Sequence, residues 1–372
     1  MARSGPFSES NWLLLCLAVG SIALVMTLGE IGIRIAILVR DGLPLNQWYR
    51  FSGRTLGATT LDETLGWRAT ENYHSKRSEK TAVGRSYEVD LVQDEKGFRA
   101  FGQMGNLKAK ILFLGDSFTH AREVSNEKTY YQYVKQRLNA EIFAYGVEGY
   151  GTLQEYLVLD RHLDLIKPDL VVWQFCFNDF LNNDPDLEKR SVFHNNSRIR
   201  PYWKDGRVVY LFPRDSLPWV RSFAAAHLRF LNFLLGRIDK FAGMYLRESL
   251  ESEIERQGLA HSGLSKAAGI TGELIGRARI RTGAVPIVAF NCKAVEPYNA
   301  ALRAISRKHD ILFLEEIAVS LDSAAQRGED VFHADGAHWN EEGHRVVGEA
   351  LAEHLKMLIS EGKLLVPSAA AR

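Results

Sequence analysis

Lys110-Ile111-Leu112-Phe113-Leu114-Gly115-Asp116-Ser117 (KILFLGDS) is the stretch that decides the fold. Four consecutive apolar residues followed by Gly-Asp-Ser read as a strand covered on both faces that ends in polar groups. Working outward, a helical pattern runs from Glu127 to Leu138, EIFAYGV (141–147) is a second buried strand, Leu153 to Leu165 is helical, and DLVVWQFCF (169–177) is a third strand. The alternation stops at Asp179 and returns near Ile270, with a helix before the strand AVPIVAF (284–290). EPYNAALRAISRKHD (296–310) then reads as a helix, ILFLEE (311–316) as a strand, and NEEGHRVVGEALAEHLKMLI (340–359) as a long final helix. Asn340 suits its cap, and Glu341 and Glu342 suit the positive end of its dipole. Strand and helix in alternation predict an α/β fold, a parallel sheet between two helical layers. Residues 180–262 interrupt it as an insertion with helical patterning.

Four polar segments fall just after strands or before the last helix: Gly115-Asp116-Ser117-Phe118-Thr119, Gly146-Val147-Glu148-Gly149-Tyr150-Gly151, Asn178-Asp179 and Asp335-Gly336-Ala337-His338. Open parallel sheets bind ligands at the carboxyl ends of their strands, so all four are placed on one functional edge. A serine, a histidine and a carboxylate are the parts of a nucleophile, its base and the group that orients the base. A glycine N–H and an asparagine amide are parts of an oxyanion hole. Each residue also has a plain role: Ser117 could cap a helix, Gly149 or Gly151 make a turn, and Asn178-Asp179 supply turn chemistry. His333, Asp335 and His338 form a second candidate set, as metal ligands, but lack an HExxH-type helical spacing. His120 and His344 read as structural or rim residues. Cys176 and Cys292 end neighbouring strands, either as small buried hydrophobes or, in an oxidising compartment, as a disulfide.

In these segments the chain resembles the SGNH or GDSL-type serine hydrolases. The family's four markers correspond to Ser117 in GDSFT, Gly149 in GVEGYG, Asn178 in FNDF and His338 in DGAHWN, over about 110–360 less the insertion. The third block departs from Gly-x-Asn-Asp, with Cys176 in place of the glycine. The resemblance implies a flavodoxin-like three-layer sheet, Ser117 as nucleophile, His338 as base and Asp335 as its orienting carboxylate. It also implies an oxyanion hole made from the Ser117 and Gly149 N–H groups and the Asn178 amide. Neither a metal nor an organic cofactor is required. The expected substrate is an ester, with acyl groups such as O-acetyl on carbohydrate in view. An O-acyltransferase using the same serine, and a catalytically silent anchored binding or assembly protein, are the alternatives.

Outside the core, Asn11 to Gly29 is a run of nineteen residues with no charged side chain. As a helix it would be roughly 28 Å long, close to the thickness of a bilayer's hydrocarbon core. A cleaved signal peptide and a buried soluble helix compete with a membrane anchor over 1–40. The six-residue apolar stretch before Ala18-Val19-Gly20 is short for a signal peptide. Residues 41–108 read as a β-rich or irregular extension, and 109–365 as the hydrolase domain. The extension's Asp62-Glu63-Thr64-Leu65-Gly66-Trp67-Arg68 and Gly97-Phe98-Arg99 resemble segments preceding the catalytic domain in membrane-anchored bacterial SGNH proteins, some of which modify exported polysaccharides. That resemblance implies a single-pass inner-membrane protein with a periplasmic catalytic domain, a side the flanking charges do not decide. Within the insertion, LPWVRSFAAAHLRFLNFLLGRIDKF (217–241) is amphipathic. It reads as a helix on the core or as a lid or membrane-surface helix.

The whole chain of 372 residues has 46 Lys and Arg against 45 Asp and Glu, a formal charge of +1. Such a balance offers no electrostatic ground for nucleic acid as a partner. With 46% hydrophobic and 24% charged residues the composition is that of a globular protein, and three cysteines are too few for a disulfide scaffold.

Overall fold

The computed structural model describes residues 9–41, 57–105, 107–191, 199–211, 218–245 and 250–365. The elements before the core are α1 (Glu9–Asp41), β1 (Thr59–Asp62), β2 (Gly66–Ala69), β3 (His74–Lys80), β4 (Ser86–Val92) and β5 (Ala100–Phe101). The first half of the core runs β6 (Lys110–Gly115), α2 (Ser117–His120), α3 (Tyr130–Leu138), β7 (Glu141–Gly146), α4 (Thr152–Ile166) and β8 (Leu170–Phe175). Then come α5 (Phe177–Leu181), α6 (Pro185–Glu188), β9 (Arg200–Lys204), β10 (Arg207–Leu211), α7 (Pro218–His227), α8 (Arg229–Tyr245) and α9 (Leu250–Gln257). The second half of the core is α10 (Ser262–Thr282), β11 (Ile287–Asn291), α11 (Glu296–His309), β12 (Leu312–Phe313), α12 (Glu316–Gln326) and α13 (Glu341–Ser360).

The central sheet has the order β12-β11-β8-β6-β7-β5. Its five parallel strands, numbered along the core, run 2-1-3-4-5, the flavodoxin-like order. The apolar strand runs explain the layers, because successive side chains alternate between faces. Leu112, Leu114, Val171 and Trp173 enter one buried cluster with Leu159, Ile275 and Leu302 of α4, α10 and α11. Ile111, Phe113, Leu170 and Val172 enter the other with Val134, Leu321 and Leu351 of α3, α12 and α13.

The sheet differs from the parallel expectation at one edge, where β5 pairs antiparallel with β7 through Ala100–Ala144 and Phe101–Phe143. Two residues give almost no periodicity for sequence reading, and the pairing exists only because β7 offers an unpaired edge. The insertion also differs from its helical reading. It contains the hairpin β9–β10 as well as helices, turned by Asp205 and Gly206, both at positive φ. Asp-Gly is a strong hairpin signal in a sequence.

Helix α1 contains the stretch Asn11–Val39, long and apolar enough to cross a membrane. Its Glu30 carboxylate accepts hydrogen bonds from the Arg229 and Phe230 N–H groups, at 3.2 and 2.8 Å, and Arg34 donates to the His227 carbonyl. The charge pair after the uncharged run therefore caps the first turn of α8.

Candidate active site

Strand β6 delivers Ser117 to the sheet's carboxyl edge, beside β8, where the chain order reverses. Asp116 caps the short helix α2, its Oδ1 accepting the Phe118 N–H at 3.0 Å. Gly146 at the end of β7 lets that helix lie close, since a Cβ there would stand 2.6 Å from Thr119 Cβ and 2.7 Å from the Asp116 carbonyl. Ser117 takes the first helical position, where backbone N–H groups have no intrahelical acceptor.

His338 comes to Ser117 from the loop before α13. Its Nε2 lies 2.9 Å from Ser117 Oγ and its Nδ1 2.6 Å from Asp335 Oδ2. The other oxygen of Asp335 accepts the Ala337 and His338 N–H groups at 2.8 and 3.0 Å, so this loop organises itself around its own carboxylate. The extension supports the loop from outside: Ala334 donates to the Lys80 carbonyl, Ala82 to the Phe332 carbonyl, and Glu79 pairs with His333 at 3.1 Å. The Phe118 ring packs 5.0 Å from the His338 ring.

Charge at this end is concentrated. Burial alone would push the His338 imidazolium down, but the Asp335 hydrogen bond and the charges of Glu123, Asp335 and Asp116 outweigh it, and the group is pushed up to about 9. Burial raises Asp335, whereas the hydrogen bonds from His338 and from the Ala337 and His338 N–H groups hold it well below the usual carboxylate range. Among the described residues, Glu123, Asp335 and His338 bring ligand-capable atoms within 4.8 Å of one another and could hold a cation. Both nitrogens of His338 are engaged by Asp335 and Ser117, an arrangement suited to moving a proton.

Gly149 lies in a turn closed by the Tyr150 N–H to the Val147 carbonyl at 3.2 Å. At φ +70° it occupies the third position, where a type II turn calls for glycine. Asn178, in the first turn of α5, directs its Nδ2 to Asp116 Oδ2 at 3.2 Å, to Asp179 Oδ1 at 3.3 Å and to the Tyr150 carbonyl at 3.4 Å. The residue before Ser117, the residue after Gly149 and Asn178 itself are thereby tied together. Among the described residues the Ser117 and Gly149 N–H groups make no hydrogen bond. Asp179 is buried, and burial followed by the charges of Glu155 and Asp116 pushes it well above the carboxylate range.

Cys176 has φ −133°, extended backbone that needs no glycine, which explains how the third block tolerates its departure. Its sulfur is bonded to Cys292, joining the ends of β8 and β11. His120 and His344 are buried supports: His120 Nε2 lies 2.6 Å from the Gln93 amide and His344 Nδ1 accepts the Tyr130 N–H. Burial first of all pushes both down to about 3, so they stay neutral. Glu123, Asp116, Trp67 and Arg200 were not assigned roles by sequence reading. Asp116 lies within the Gly115–Thr119 segment, Glu123 just beyond it, and Trp67 in the extension motif Asp62–Arg68. Arg200 carried no signal beyond the hairpin it begins.

A flavodoxin-like sheet carrying a hydrogen-bonded Ser–His–Asp chain at its carboxyl edge is the framework of an α/β serine hydrolase, and the family match makes it one acting on esters. The chain belongs to the GDSL-like lipase/acylhydrolase family, whose profile matches residues 111–351. Similar solved structures include an alpha/beta hydrolase enzyme from the metagenome of Lake Arreo, Spain, at 14% identity over 69% of this chain and 99% of that one, with a TM-score of 0.39. They also include a psychrotrophic esterase of Pseudoalteromonas sp., at 10% identity over 68% and 98% and a TM-score of 0.37. A Clostridium thermocellum family 3 carbohydrate esterase matches at 13% identity over 68% and 98%, with a TM-score of 0.34. No curated protein matches the chain.

Proposed function

We propose that the protein is a membrane-anchored serine esterase that removes ester-linked acyl groups, O-acetyl on carbohydrate foremost. The observation that carries the mechanism is the continuous chain Asp335–His338–Ser117, with contacts of 2.6 and 2.9 Å. Ser117 Oγ attacks the ester carbonyl as its proton passes to His338 Nε2, while Asp335 holds the Nδ1 tautomer and stabilises the imidazolium. The oxyanion is received by the Ser117 and Gly149 N–H groups and the Asn178 amide. His338 then returns the proton to the departing alcohol, and a water deprotonated by the same histidine releases the acid and frees Ser117.

The near-neutral chain suits a neutral ester over a strongly charged polymer. An anchor at Asn11–Val39, the Cys176–Cys292 disulfide and the resemblance of the extension motifs support a single-pass inner-membrane protein with its catalytic domain in the periplasm, an oxidising compartment. Substrate carbohydrate would meet it there.

A fluorophosphonate probe on the detergent-solubilised full chain, followed by mass-spectrometric mapping, should label Ser117. Wild type should hydrolyse an activated acetyl ester and Ser117→Ala should not. No labelling and no hydrolysis would sink the esterase reading. Product analysis with oligosaccharide acceptors decides between hydrolysis and transfer: acetylated sugar in place of free acetate would make the protein an O-acyltransferase.

A further inference from the structure

The extension and the insertion converge on the turn that carries Gly149, and they take hold of it by its carbonyls. The Trp67 indole N–H donates to the Glu148 carbonyl at 2.9 Å. A buried Arg200 donates Nη2 to the Gly149 carbonyl and Nη1 to Gln154 Oε1, and its guanidinium carbon lies 4.8 Å from the centre of the Trp67 ring. The Tyr150 carbonyl is taken by Asn178. Three successive carbonyls, 148 to 150, are thus held by three segments remote from one another in sequence.

The chemistry of the peptide bond gives this a consequence. In a planar trans peptide the C=O and N–H point in opposite directions, so fixing the Glu148 carbonyl fixes where the Gly149 N–H points. That peptide is also the central one of the Val147–Tyr150 turn. Type I and type II turns differ by a flip of this central peptide, which moves the third residue from φ near −90° to φ near +80°. Glycine allows either state at little cost. A flip would turn the N–H away by half a revolution. Gly149 stands at +70°.

We propose that Trp67 and Arg200 are positioning residues for the reaction: from the extension and the insertion, they lock the turn in the state that presents the Gly149 N–H to the oxyanion. This rests on the esterase reading above for its oxyanion. Trp67 acts on the peptide that bears the donor, and Arg200 holds the next peptide and stacks beneath the indole. Arg200 is itself held by an ion pair with Glu188, 2.9 Å from Nε and fully buried, while Glu188 accepts from the Tyr202 hydroxyl. On the other side Gln154 donates to the Leu65 carbonyl and the Tyr150 hydroxyl to the Trp67 carbonyl, closing the frame around the turn.

Trp67→Phe removes the indole N–H and keeps an aromatic ring in place. In the full chain it should lower kcat roughly 10- to 100-fold with KM within about twofold, because the lost alignment matters in the transition state. Affinity for a tetrahedral boronate should fall in step, and the pH limb set by His338 should not move. Arg200→Lys keeps the charge beside Glu188 but loses the two-pronged donor, and should show a smaller loss of the same kind. It also covers the case of a Trp67→Phe chain that does not fold. A folded Trp67→Phe with kcat within about twofold of wild type, or losses in which KM and the pH limb change together, would overturn the proposal. Should wild type prove inactive on esters with Ser117 unlabelled, the esterase reading falls on its own. The lock is then judged by the crystal structure of Trp67→Phe. Gly149 moved away from φ near +70° supports it, and an unchanged turn refutes it.

Discussion

The two sides of the proposed catalytic edge are built differently. The acid–base side is local: Asp335 and His338 are three residues apart, and Asp335 orders its own loop through two backbone N–H groups while holding the imidazole. The proposed oxyanion side is assembled from a distance, since Gly149 and its neighbours are held by Trp67, by Arg200 and by Asn178. A local motif carries its geometry in its spacing. A long-range one acquires geometry only when other parts of the chain have folded around it.

If the two sides are separable, variants should sort by side. Ser117 is proposed to serve both, and Ser117→Ala should cost the most, about 10⁴- to 10⁶-fold in kcat on an activated ester. On the acid–base side, Asp335→Asn should cost up to about 10⁴-fold, because the imidazole loses its tautomer and its stabilising charge. On the oxyanion side, Asn178→Ala should cost about 10²- to 10³-fold, with the pH profile in place. A shift in that profile would break the comparison.

The pH profile is the sharper divider. His338 must be neutral to accept a proton, so kcat/KM should rise with pH through about 9 and level off above it. Removing a negative charge beside the imidazolium destabilises it and lowers that value. Glu123→Gln should therefore move the limb to lower pH while leaving the plateau largely intact. A limb unmoved by Glu123→Gln would detach Glu123 from the acid–base side. The smallest catalytic effect belongs to the Cys176–Cys292 bond, which ties the strand end before Asn178 to β11. Reduction should lower stability by about 2–5 kcal/mol in thermal unfolding and leave the pH limb where it was.

The core was legible because its signals are local. Four apolar residues at Ile111–Leu114 and six buried residues in each of β7 and β8 have few alternatives to a covered strand. The four polar segments could be picked out because each follows a strand or precedes a helix, and the family resemblance then singled out Ser117, Gly149, Asn178 and His338 within them. Ser117, His338 and Asp335 are then brought into one hydrogen-bonded chain. Less was legible in the extension, where the two residues of β5 show no period and take their place from the edge of β7. The β9–β10 hairpin had its Asp205-Gly206 signal, yet a buried arginine reads as an exposed charge until its partners are known.

Sequence alone determined the parallel α/β core, the placing of four polar segments on one edge and the apolar run at Asn11–Gly29. Each depends on neighbours within a few residues, where steric rules and burial leave little freedom. Only the tertiary structure decided which way the Glu148–Gly149 peptide faces, that Cys176 meets Cys292, and that Trp67 and Arg200 meet over the same turn. A glycine peptide can face either way, and a sulfur or guanidinium has many potential partners. The choice is made by packing between segments more than fifty residues apart in the chain.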